Sequence, residues 1–306
     1  MKTLSPKHFG AAFWLLVLFS FCLVESSSAS PPATPTPTPT PPFKMIIASD
    51  PQFDWYTDDE DHGQDICTSP TPGCSKHQVS MNDNTLQSNK IKSLAQADST
   101  IKGLIVNGDL TAIGRGSELG NFQKFYEKDL GITLYPGLGN HDYAAGHGLP
   151  VRSIHETKNP SSTPQGCYNN ECAKRMINYL SDYVKNTLNL TTFDALKTTK
   201  PKDLHRTFTG SLAYSWEIGN VHFVQLNNYP EFEIRFHHYS RKNAGIYHVY
   251  QIESARDWLE NDLRTARHNK KHIILNYHQP NYQMPQPPFG GWLGTFIERY
   301  EVSAIF

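Results

Sequence analysis

The sequence predicts an α/β fold. Short apolar, β-rich runs alternate with stretches whose apolar residues recur at the helical period, and polar clusters follow directly after four of those runs. Residues 45–48, 103–106 and 132–135 are the first three expected strands. Between them, Ile91, Leu94 and Ala95 share one helix face, as do Leu119, Phe122 and Tyr126, giving two strand–helix–strand units. A loop rich in Gly, Pro, Ser and Asn comes next, then a helix marked by Cys172, Met176, Tyr179, Leu180 and Tyr183. Residues 211–218 and 221–226, separated by Gly219 and Asn220, read as a hairpin with a tight turn, so a second sheet is expected. Ala255, Trp258, Leu259, Leu263 and Ala266 mark an amphipathic helix capped by Ser254, followed by a buried strand at 273–275. A short helix over 292–299 leads into a last strand at 302–306.

At the N-terminus, Lys2 and Lys7 precede an apolar stretch over 11–24, then Glu25 and a run of small residues, the pattern of a secretory signal peptide over 1–30. The apolar stretch is shorter than the roughly 20 residues that cross a bilayer, so no membrane span is expected in the mature chain. Residues 31–42 alternate Pro and Thr and form an extended linker, and one folded domain is expected over 43–306. With 38% hydrophobic residues among 306, that domain can bury a sizeable core. A formal net charge of -1 leaves no nucleic-acid-binding signature, so a charged ligand needs a local site. Beyond Cys22, which leaves with the signal, Cys67, Cys74, Cys167 and Cys172 form two close pairs in a chain bound for an oxidising, extracytoplasmic compartment. Two local disulfides are expected; the rival, a four-cysteine zinc site, fits the spacing poorly. Asn189, Leu190 and Thr191 form a glycosylation sequon.

The polar clusters carry the chemistry. Asp50 follows the first strand, Asp109 the second, Asn140 and His141 the third, and His278 the strand at 273–275. In open α/β sheets ligands bind beyond the carboxyl ends of the strands, so the four clusters can share one crevice. Two carboxylates, side-chain amides and a histidine suit hard or borderline divalent ions. No glycine-rich dinucleotide fingerprint follows the first strand and no GKS or GKT phosphate loop occurs, which removes the main support for nicotinamide and ATP chemistry.

With Ser49-Asp50-Pro51-Gln52, Asn107-Gly108-Asp109, Gly139-Asn140-His141-Asp142 and Tyr277-His278 in this order, the chain resembles the calcineurin-like metallophosphoesterases from residue 45 to 306. The resemblance implies a four-layer α/β/β/α sandwich of two mixed sheets, incomplete at the C-terminus, and two divalent metal ions (Fe, Mn or Zn) acting on a phosphate ester. Asp50 and Gln52 would bind the first ion, Asp109 both, and Asn140 and His278 the second. His141 would be the catalytic histidine assisting the leaving group, with Asp142 orienting its ring, while hydroxide activated by the two metals attacks phosphorus.

The family's first block is usually Asp-x-His, and Gln52 stands at the third position, which implies a looser first metal site. The closing Gly-His-x-His block is expected after residue 306, so residues 43–306 alone are expected to hold metal weakly and turn over little. Arg235, His237, His238 and Arg241 form a basic, aromatic-rich insertion, read either as substrate recognition or as loop packing. Asp58 to Asp61 with His62 read as a solvated charge run, and His147 is a reserve ligand. A non-catalytic secreted binding domain with a degenerate site stays open as the alternative. A carboxylate-pair carbohydrate hydrolase is the weaker third reading.

Overall fold

The computed structural model describes residues 17–20, 41–53, 76–143, 167, 170–199, 205–240, 246–279 and 291–306. Of the sequence expectations, most of the signal peptide and linker, Cys67, Cys74, Arg241, His147 and the Asp58–Asp61 run lie outside these residues.

The protein is α/β, and its described residues form three four-stranded sheets. In the first, β2 (Lys44–Ala48), β3 (Ile101–Val106) and β4 (Thr133–Pro136) run parallel. β1 (Val17–Ser20) pairs antiparallel along the free edge of β2. α1 (Lys76–Ala97) connects β2 to β3; α2 (Gly116–Phe122) and a π-helical continuation, Gln123–Lys128, connect β3 to β4. The second sheet has the order β12-β11-β8-β7. β7 (Tyr214–Ile218) and β8 (Val221–Gln225) form the expected hairpin, and β8, β11 (His272–Asn276) and β12 (Val302–Ile305) are parallel.

The third sheet, β5 (Lys197–Thr198), β6 (His205–Gly210), β9 (Ile234–Ser240) and β10 (Ile246–Ile252), is the main addition to the sequence reading. The basic, aromatic-rich insertion is therefore two antiparallel strands rather than a loop. Imidazole and tyrosine rings at alternating positions hide the apolar signal that period-two patterning depends on.

Side-chain alternation assigns the layers. In the second sheet, Phe223 and Ile274 join the large core shared with the first sheet, whereas Val224, Ile273 and Leu275 pack with Leu259, Leu263, Leu293 and Phe296 of α4 (Arg256–His268) and α5 (Trp292–Arg299). Ile91 of α1, Phe122 of α2 and Met176 of α3 (Glu171–Asp182) belong to the large core. The two sheets meet through a ring stack, Tyr135 on Trp216 at 4.0 Å and Trp216 on Phe223 at 5.2 Å. The α4 cap differs slightly from expectation: Ala255 holds the cap position, and the Ser254 hydroxyl accepts the Arg256 N–H at 3.3 Å. Cys167 and Cys172 form the expected local disulfide beside the start of α3, and Asn189 is exposed.

Among the described residues no helix is long and apolar enough to cross a membrane. Trp216→Ala, which empties the middle of the inter-sheet stack, should cost about 3–5 kcal/mol in chemical denaturation. A loss below about 1 kcal/mol would show that the sheets do not depend on this contact.

Candidate metal centre

Three loops of the first sheet and one of the second converge because each follows the C-terminal end of a parallel strand. The loops after β2 and β3 are laced together: Asn107 N donates to Ala48 O at 2.8 Å, Asp50 N to Gly108 O at 3.2 Å and Gln52 N to Asp109 O at 2.9 Å. From behind, Asn84 on α1 donates to the Pro51 carbonyl at 2.8 Å. Asp50, Gln52 and Asp109 all have positive φ, 57°, 29° and 49°, a costly backbone state held only where the surroundings over-determine it. Two glycines permit the approach. A side chain at Gly139 would overlap the Asp109 carboxylate, and at Gly108, φ 81°, a Cβ would lie 2.6 Å from His278 Cβ.

Asp109 is the centre of the arrangement and is buried. Its Oδ1 accepts the His141 N–H at 2.9 Å, and its Oδ2 lies 3.0 Å from Gln52 Nε2 and 3.1 Å from His278 Nε2. His278 Nε2 is also 3.1 Å from Asn140 Oδ1, and His278 Nδ1 is 2.8 Å from the Asn107 carbonyl oxygen. A carbonyl can only accept, so Nδ1 carries hydrogen and Nε2 is left to meet the acidic cluster. That is the tautomer a metal-binding imidazole needs, with the orienting partner in place. Asp50, Asp109 and His278 each offer a ligand atom, all within 4.8 Å of one another, so the group could hold a metal ion.

The charges are tightly coupled. Burial alone would depress the His278 pKa, but the charge and hydrogen bond of Asp109, then Asp50 and the Asn107 carbonyl, raise it to about 10. Asp50 is the most exposed of the three, its side chain 44% accessible against 9% for His278 and 3% for Asp109. Desolvation raises its pKa, His278 lowers it and Asp109 raises it further. The single hydrogen of the Ser49 hydroxyl is shared between Asp50 Oδ2 and the Asn107 carbonyl, the latter 2.8 Å away.

The chain matches no protein-family model and no curated protein.

Asp142 does not orient the His141 ring. Its carboxylate accepts from Leu110 N at 3.0 Å, Thr111 N at 3.0 Å, Thr111 Oγ1 at 2.8 Å and Gly139 N at 2.9 Å, so it staples the loop after β3 to the loop after β4. Burial and then Asp109 push its pKa up to about 7, although all four contacts donate to it and favour the charged form. The His141 ring is instead held by the Ala112 carbonyl, 3.0 Å from Nδ1. The family resemblance implied that Asp142 orients the ring; the tight turn His141–Tyr143 directs it into the protein instead.

Nor do the three described insertion residues converge. On β9, Arg235 and His237 lie on one face and His238 on the other, where its Nε2 is 2.6 Å from Glu171 of α3. Arg235 lines a groove with Glu231, Glu233, Arg256 and Trp292. A further polar residue follows β8: Asn227 accepts the Leu138 N–H at 3.1 Å, and its carbonyl receives the His278 N–H at 2.9 Å. Its position after a strand, like that of the other clusters, was the available signal.

Binding of a divalent ion at His278 Nε2 must displace the proton held there, because the free group keeps it to about pH 10. Metal affinity should therefore fall as pH falls, approaching tenfold per pH unit near neutrality, with about one proton released per ion bound there. Calorimetry in buffers of different ionisation enthalpy reads that proton; a pH-independent affinity would mean that His278 is not a ligand.

Proposed function

We propose that this protein is a secreted, metal-dependent phosphoric ester hydrolase of the calcineurin-like type. The convergence of Asp50, Asp109, Asn140 and His278 on one crevice, with the His141 ring at its edge, carries the reading. Asp50, Gln52 and Asp109 would hold one ion, and Asp109, Asn140 and His278 a second. Divalent ions bound there would supply Lewis acidity and an activated water for attack on phosphorus. The resemblance in motif order, the signal-like N-terminus and the Cys167–Cys172 pair support the family and the extracytoplasmic setting.

His141 has the placement of a general acid. The Ala112 carbonyl fixes a hydrogen on Nδ1, and Nε2 lies 4.0 Å from Asp109 Oδ2, its side chain 12% exposed. With the ring doubly protonated, Nε2–H can be given to a departing oxygen while the backbone carbonyl keeps the ring from turning. The His141 N–H meanwhile holds Asp109 Oδ1, so one residue orients the carboxylate through its backbone and serves the leaving group through its ring.

One observation favours the alternative of a non-catalytic binding domain. Gln52 points its amide nitrogen, not its oxygen, at Asp109, so the side chain must turn over to become a ligand.

Metal content and hydrolysis of a phosphomonoester and phosphodiester panel, with Mn²⁺, Fe²⁺ or Zn²⁺ each at saturation, separate the two readings. The hydrolase reading expects metal-dependent turnover, low for residues 43–306 as the sequence leads one to expect, that Asp109→Asn abolishes; bound metal with no turnover above the Asp109→Asn level on any ester would favour the binding domain. His141→Ala should lower kcat on the order of 10² or more while metal content is kept. If bound metal falls in step with activity, His141 is a ligand and not the acid.

A further inference from the structure

A second polar cluster lies between the third sheet and the start of α3. The register places Arg206 of β6 beside His248 of β10, and His248 beside His238 of β9, so three basic side chains form one cross-strand row. His238 reaches the first turn of α3, where its Nε2 is 2.6 Å from Glu171 and 3.3 Å from Lys174 Nζ. Arg206 Nε, His248 Nε2 and His238 Nδ1 are buried without a hydrogen-bond partner, and the His238 side chain is only 8% exposed. Three orphaned nitrogens in one row are unusual, since buried polar groups nearly always find partners.

Among the described residues, the charges are unbalanced in one direction. Lys174 and Arg206 are permanent cations, and Glu171 is shared between Lys174, at 3.2 Å, and His238. The cluster sits at the positive end of α3, whose N-cap residue makes no side-chain cap; the Asn170 amide donates instead to the His237 carbonyl at 2.8 Å. Burial, then the positive neighbours His238, Arg206 and Lys174, depress the pKa of His248, consistent with local positive potential in excess.

We propose that Arg206, His248, His238 and Lys174, at the N-terminus of α3, form an anion site, separate from the metal centre, that binds a tetrahedral oxyanion, phosphate or sulfate. Arginine and lysine can only donate, which rules out a cation as the ligand, and a guanidinium edge matches an anion that presents two oxygens. Water would partner the orphaned nitrogens but leave the charge excess in place. With His238 Nε2 donating to Glu171, its Nδ1 is a donor whenever the ring is charged, so an anion also completes that side chain.

The test uses the full chain in excess chelator, which removes metal-held phosphate and makes the result independent of the hydrolase reading. Radiolabelled phosphate and sulfate are each followed by equilibrium dialysis in a chloride background, with Tm recorded in parallel. About one oxyanion per chain should bind in the millimolar range or tighter, and Tm should rise with its concentration. Arg206→Gln and His248→Gln should each weaken binding at least tenfold, while Asp109→Asn should leave it unchanged. If Arg206→Gln fails to fold by circular dichroism, Arg206→Lys and Lys174→Gln carry the same comparison. No saturable oxyanion binding, a response to chloride alone, binding indifferent to the cluster variants, or binding lost in Asp109→Asn would each overturn the proposal.

Discussion

A carboxylate buried at 2% exposure has to be compensated, and Asp109 is that carboxylate. The loops after β2, β4 and β11 each supply part of the compensation: Gln52 from the first, the His141 N–H from the second and His278 from the third. Because these loops come from two different sheets, the pairing of the sheets and the assembly of the site are one event. The positive φ values at Asp50, Gln52 and Asp109 are the backbone cost of bringing so many strand ends to one carboxylate. A divalent ion in the crevice would take over the balancing role that the His278 proton fills in its absence.

Below the site the sheets are joined by polar as well as aromatic contacts. Gln225 of β8 donates to Asn107 at 3.1 Å across the interface and accepts the Asn227 N–H at 3.1 Å, while Asn227 donates to the Leu212 carbonyl at 2.9 Å. These residues are buried and hydrogen-bonded, so they fix the offset between the sheets more tightly than apolar packing, which tolerates sliding. Gln225 lies against Gly137, where an added Cβ would stand 2.7 Å from its side chain, so the offset also depends on a bare backbone there.

α3 links this framework to the third sheet. Arg175 donates to the Gly114 carbonyl at 2.7 Å, two residues beyond the Ala112 carbonyl that holds the His141 ring, and Met176 packs closely against Gly114. The same N-terminal half of the helix meets the basic row of β6, β10 and β9 through Glu171 and Lys174. One helix thus touches both the loop whose Ala112 carbonyl holds the His141 ring and the proposed anion site.

The α/β class, the strands that lead into the candidate site and the residues at their ends can be read from the amino-acid order. Those features are written locally: an apolar run sets a strand, and a polar cluster directly after it sets a loop residue at the strand's carboxyl end. Asp50, Asp109, Asn140, His141 and His278 were legible on that ground; Gln52 entered only through the family resemblance. Tertiary structure decided what could not be local. Asp142 turns inward because four donors from two loops surround it, a condition invisible to spacing. His237 and His238 are adjacent in sequence but lie on opposite faces of β9, because the third sheet forms there and a strand alternates its side chains. Asn84, Gln225 and Asn227 gain their roles only when α1 and the second sheet pack against the loops of the candidate site, a matter of contacts across 33 to 118 residues of chain.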